Sequence, residues 1–138
     1  MGQEPQGRDR RVYKRIPASF SLMFSVKAPF EVRILFGGKN IDAIAQDISE
    51  GGVGMLTNGV IPIGARVSVT FKIFDKSESV SEGHYKVFEL FGDVRYSRAQ
   101  DTDCRLGVQF VDVSEDERKF LANYVQSNDL KPSESMEP

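Results

Sequence analysis

Two short constellations in this chain combine residue types at spacings that can hold a ligand. Arg11 and Arg15 stand four residues apart in the basic stretch Arg10-Arg11-Val12-Tyr13-Lys14-Arg15. In an extended segment four residues advance about 13 Å and return to the same face, so two guanidinium groups would grip separate parts of one elongated molecule. Pro17 steers Ile16 away from helical angles and favours such an extended approach. A guanidinium is a planar fork that binds phosphate oxygens, pairs with guanine O6 and N7, and stacks on base faces. A solvated basic arm is the other reading of the same spacing. The second constellation is Asp47-Ile48-Ser49-Glu50-Gly51-Gly52, in which Asp47, Ser49 and Gly52 form D-x-S-x-x-G. Strand alternation puts Asp47 and Ser49 on one face and Ile48 on the other. The carboxylate can accept from a guanine N1–H and N2–H₂ edge, the hydroxyl can serve a base or a phosphate, and glycine lets backbone approach a ligand closely. A polar turn with glycines at positive φ is the alternative. Together the two motifs are far more specific than either alone.

Composition narrows what else the chain can be. At 138 residues it has the length of a single domain. With one cysteine, Cys104, and one histidine, His84, neither an internal disulfide nor an all-protein Cys/His metal cage can be assembled. No apolar run approaches the roughly 20 residues that cross a bilayer, and the polar start lacks a signal-peptide core, so a cytoplasmic protein without membrane insertion is expected. The net charge of −2 is unevenly spread: Arg8 to Arg15 holds five cations against one anion, while Asp112 to Pro138 holds seven anions against three cations. The basic segment can attract phosphates, but a near-neutral body argues against a DNA or RNA surface, and a compact anionic ligand suits it better. No catalytic set is visible. His84 lies in a polar neighbourhood without an evident triad, and Cys104 alternates with Leu106 and Val108 as a buried thiol would. Gly52-Val53-Gly54 opens like G-x-G-x-x-G, but Thr57 takes the third glycine's place, and there is no G-x-x-x-x-G-K-[ST] loop. A binding module rather than an enzyme is expected.

The elements that must carry these residues show mostly period-two patterning. Phe20, Leu22, Phe24 and Val26 alternate, and after Ala28-Pro29 a second run puts Phe30, Val32, Ile34 and Phe36 on one face. This predicts a hairpin, with Gly37-Gly38-Lys39-Asn40 leading to a strand near Ile41 to Ile48. Further strands are predicted at Val53 to Leu56, at Val67-Val69-Phe71-Ile73, at Tyr85 to Tyr96, and at Cys104 to Val111, where Cys104, Leu106, Val108 and Phe110 share a face. Seven short candidates with frequent turn signals point to an all-β barrel or sandwich. Ser114 and Glu117 have capping-box spacing, and Phe120, Leu121, Tyr124 and Val125 then form a helical stripe expected to cover the barrel mouth. Residues 1–9 and 127–138 are polar and are expected to be flexible tails.

The chain resembles the PilZ domain family of bacterial cyclic di-GMP receptors. The resemblance rests on R-x-x-x-R at Arg11 to Arg15, D-x-S-x-x-G at Asp47 to Gly52, the distance between them, and the later Gly107-Val108-Gln109-Phe110 strand. It implies a domain over 10–126 built as an all-β, six-stranded antiparallel barrel with a C-terminal helix and a flexible N-terminal arm, 10–17, that folds over the ligand. One of the seven candidates must then be dropped, and the short Val53 to Leu56 segment is the expected one, as a continuation or bulge. By the resemblance Arg11 and Arg15 bind guanine and phosphate groups, Asp47 and Ser49 hold a guanine edge and nearby oxygens, and Gly52 shapes the turn. Arg10 adds a third guanidinium that either permits a stacked pair of ligands or stays in solvent. Gly92-Asp93-Val94-Arg95-Tyr96 puts Tyr96 where the family often has an aromatic residue, as a stacking surface or a rim tyrosine, and Arg98 shares its face. No cofactor besides cyclic di-GMP is implied. Ligand binding would alter the exposed surface and control a downstream protein partner. The alternative is a PilZ-like protein–protein adaptor that binds no nucleotide.

Overall fold

Apolar residues at alternate positions give most of the strands one face to bury, and six strands close on themselves to do so. A computed structural model describes residues 14–75 and 84–136. The strands are β1 (Ile16–Ala28), β2 (Ile41–Ser49), β3 (Gly52–Thr57), β4 (Arg66–Asp75), β5 (His84–Gln100) and β6 (Asp103–Val111). All neighbours pair antiparallel in the order β1-β2-β3-β6-β5-β4, and pairing of β1 with β4 closes the barrel. Closure gives each strand a neighbour on both sides. Leu22, Phe24, Val26, Val67, Val69, Phe71, Ile73, Leu106 and Val108 fill the interior as the alternation predicts, and the Cys104 thiol is buried with them. Phe71 anchors an aromatic cluster, its ring centroid 5.2 Å from that of Phe88 and 5.7 Å from that of Phe20.

Six strands are present, but the candidate that drops out is not the expected one. Val53 to Leu56 belongs to a full strand, β3, paired on both sides by β2 and β6. The Phe30 to Phe36 run is instead a short helix, α1 (Phe30–Phe36). Pro29 enters it in an extended conformation, and Gly37 ends it at φ 64°, donating its N–H to the Ile34 carbonyl. Val32 and Phe36, four residues apart, are the pair that turns toward the barrel, whereas Phe30 and Leu35 remain 66% and 77% exposed. An apolar residue at every second position also contains pairs at i and i+4, so the run satisfied both periods.

The last element, α2 (Glu115–Met136), starts as its capping box predicts. The Glu117 amide donates to the Ser114 hydroxyl at 3.1 Å, and the Ser114 amide donates to the Glu117 carboxylate at 3.0 Å. Leu121 and Val125 are buried, and Phe120 brings its ring centroid 5.4 Å from that of Phe88. The helix then runs on to Met136, so the stretch read as a tail from residue 127 is helical through most of its length. Residues 127–131 contain neither glycine nor proline, so nothing in their types breaks the helix there.

Leu121→Ala should therefore cost about 2–5 kcal/mol in urea denaturation, while Leu35→Ala on the exposed side of α1 should stay within about 0.5 kcal/mol of the parent. Equal midpoints for the two variants would show that α2 contributes nothing to the core.

Candidate ligand-binding site

Strands β2 and β3 meet in a tight hairpin, with Glu50 and Gly51 between the paired Ser49 and Gly52. Ser49 is buried, and its hydroxyl accepts from the amides of Gly51 at 3.0 Å and Gly52 at 3.1 Å. That hydroxyl fixes the turn. Gly52 has no room for a side chain: an added Cβ would stand 2.3 Å from the Val108 carbonyl oxygen, so its smallness serves the contact between β3 and β6.

Asp47 precedes this turn by two residues, and the fully buried Ile48 between them faces the core. Pairing of Ile16 with Ile48 and of Pro17 with Asp47 brings the entry to β1 alongside the carboxylate. Arg15 donates from Nη1 to Asp47 Oδ1. From the other side Arg105, on β6, donates from Nη2 to Asp47 Oδ2 and from Nη1 to Gln46 Oε1. Burial disfavours the charged Arg105 guanidinium, but hydrogen bonds and attraction from Asp47 and Tyr96 outweigh it and hold its pKa above the ordinary arginine value.

Two glycines make space for this arrangement. Gly54 pairs with Asp47 on one side and with Gly107 on the other. A Cβ on Gly54 would stand 2.6 Å from Arg105 Nη2 and 2.9 Å from Asp47 Oδ1. One on Gly107 would stand 2.1 Å from Tyr96 Cε2, so the Tyr96 ring rests on bare backbone. The Arg98 guanidinium carbon lies 5.3 Å from the centroid of that ring.

The structure thus joins Arg15 to Asp47, sets Ser49 and Gly52 in the adjoining turn, and links Tyr96 and Arg98 to the same region through Arg105. Arg10 and Arg11 lie outside the described residues. Sequence reasoning missed Arg105, Gln46 and Gly54. A glycine inside a strand is a signal for close approach, and Gly54 carried it. Arg105 sits at an outward position of an alternating strand, where a cation is ordinary, and its partners depend on strand pairing. Among the described residues no group of three or more His, Cys, Asp or Glu side chains could hold a metal ion, and no helix is long and apolar enough to cross a membrane.

The six strands thus form a closed antiparallel barrel with Asp47 held between two arginines beside the entry to β1. The family profile for the PilZ domain matches residues 9–127, and the chain belongs to that family. No curated protein matches it in sequence. Among solved structures, the Bacillus subtilis inhibitor of motility (MotI/DgrA) superposes with a TM-score of 0.68 at 16% identity, covering 88% of this chain and 52% of that one. YcgR from Escherichia coli in complex with c-di-GMP gives 0.61 at 20% identity, with 91% and 49% covered. The PilZ domain of YcgR with c-di-GMP gives 0.56 at 19%, with 91% and 96% covered. The chain therefore spans about half the length of the first two proteins, and at these identities the likeness is one of fold.

Gly54→Ala should destabilise the parent by about 1–3 kcal/mol through overpacking, and by clearly less in an Arg105→Ala background, where the nearest obstructing atom is gone. A double-mutant denaturation cycle measures the difference, and additive costs would mean that Gly54 does not accommodate the Asp47–Arg105 pair.

Proposed function

We propose that this chain is a cyclic di-GMP receptor of the PilZ domain family, with residues 10–126 as the working unit. The observation that carries the reading is the Arg15–Asp47 pair, which unites the two sequence motifs at one point. The named complexes of YcgR with c-di-GMP support the choice of ligand. Cyclic di-GMP carries two phosphates and two guanines. Asp47 accepts from a guanine N1–H and N2–H₂ edge, and Arg15 and Arg11 serve guanine O6/N7 and phosphate oxygens. Ser49 and Gly52 act by holding the turn that presents Asp47, and Ser49 can also meet a ligand oxygen if the turn opens. Tyr96 and Arg98 supply flat surfaces for a base at the rim.

Of the expected arm, 10–17, Ile16 and Pro17 are already paired within β1, so residues 10–15 act as the switch arm. Ordering the backbone of one residue costs about 1–2 kcal/mol, so closure over the ligand needs charge-assisted and stacking contacts to offset that cost. Closure changes the exposed surface, and that change is the signal to a downstream protein partner. The chain binds and signals; it does not catalyse, uses no further cofactor, and works in the cytoplasm.

Titration calorimetry with cyclic di-GMP tests the assignment. Arg11→Ala, Arg15→Ala and Asp47→Asn should each lose about 1.5–3 kcal/mol, roughly ten- to hundredfold in affinity. Parent-like binding by all three variants would refute the site, and no binding by the parent would leave the nucleotide-free adaptor reading. The same titrations count ligands: two per parent chain and one for Arg10→Leu if Arg10 supports a stacked pair.

Hydrogen exchange tests the arm separately. Amides of residues 10–15 should be more protected with ligand than without it, and unchanged protection would remove the switch while leaving the receptor intact.

A further inference from the structure

We infer that Arg105 is a positioning residue that sets how Asp47 reads a guanine, and so contributes to base specificity. This rests on the receptor reading given above and goes beyond its two motifs. The two arginines on Asp47 are held very differently. Arg15 stands just before β1, ahead of the first ladder pair, Ile16 with Ile48. Arg105 lies within β6, paired with Leu56 on one side and Arg98 on the other, so its backbone is fixed by two ladders of a closed barrel. Its guanidinium is held at both ends, by Gln46 Oε1 and Asp47 Oδ2, and its side chain is the more buried of the two, at 17% exposure against 25% for Arg15.

A guanine edge offers two parallel donors, N1–H and N2–H₂, and needs both carboxylate oxygens turned toward it. A carboxylate oxygen has two acceptor sites, so Oδ2 can keep Arg105 and still accept a second donor. Oδ1 becomes available when Arg15 moves to the ligand's own acceptors. Arg105 then holds the plane of the carboxylate while the exchange takes place. Without it the Asp47 side chain can turn about its terminal torsion, which is broad and carries little preference. The match to two donors is lost before the match to one.

The discriminating probe is cyclic di-IMP, whose hypoxanthine bases keep N1–H and lack the 2-amino group. The parent should prefer cyclic di-GMP by about tenfold or more, because a site built for a donor is left unpaired by an analogue that lacks it. Arg105→Gln should weaken cyclic di-GMP by about tenfold and bring the ratio of the two affinities close to one. Arg105→Lys keeps the charge and a donor but not the two-ended fork; it should recover part of the affinity without restoring the ratio. Thermal melting of each free variant shows whether it folds. A purely structural arginine would weaken both ligands equally and leave the parent's ratio unchanged in both variants, which overturns the inference. A parent that binds cyclic di-GMP while either folded variant keeps the full preference does the same. A parent that binds neither nucleotide fails the receptor reading instead, and the role of Arg105 falls with it.

Discussion

Asp47 is a partly buried carboxylate whose two oxygens are each taken by a guanidinium, and the architecture of the site follows from the need to bring those three groups together. The arginines come from distant parts of the chain, 32 residues before Asp47 and 58 after it. A carboxylate removed from water without donors is costly, whereas one met by charged donors is held in a defined orientation. The site therefore exists only once β1, β2, β3 and β6 are in register. Arg15 is tied to the core by its neighbour Ile16, which is buried opposite Ile48. Arg105 is tied to it by Leu106, which is fully buried. Each latch is thus one residue from a packed apolar side chain.

Closing the ring also creates the space in which the ion pairs lie. Gly54 and Gly107 face each other across β3 and β6, and neither could carry a methyl group without striking Arg105 and Asp47 in one case or Tyr96 in the other. Glycine in mid-strand ordinarily weakens a sheet through entropy and lost packing. Here the lost side-chain volume is filled by functional groups from adjacent strands. The tyrosine ring, the arginine fork and the carboxylate together cover what would otherwise be exposed backbone.

Most of the fold was readable because burial acts on one residue at a time: the alternation at Val67-Val69-Phe71-Ile73 and at Cys104-Leu106-Val108-Phe110 needs no knowledge of the partner strand. The same is true of the Ser114–Glu117 cap, which closes within four residues. What failed was arbitration between periods. Phe30-Val32-Ile34-Phe36 fits a strand if all four residues are buried, and a helix if only Val32 and Phe36 are. The barrel closes with β3 among its six strands, so four more inward side chains have no place in its interior. At the site, Asp47 and Arg15 were marked by motif, whereas Arg105 acquires its meaning only when β3 pairs with β6. A position's outward direction was visible in the sequence; what waited outside was not.

Under the proposed function, the double latch lets one carboxylate serve both stability and recognition. Breaking a partly buried ion pair by deleting one partner leaves an uncompensated charge, and that is the costly event. In the proposed binding step no such state arises. The guanine edge takes up the acceptor that Arg15 releases, Arg15 takes up oxygens on a dianionic ligand, and Arg105 never leaves. Every charged group keeps a hydrogen-bonding partner throughout, so the net cost is the difference between two sets of charge-assisted bonds and not the loss of one. The arm that carries Arg15 would then move because its arginine changes partners, which couples base recognition to the position of the chain immediately before β1.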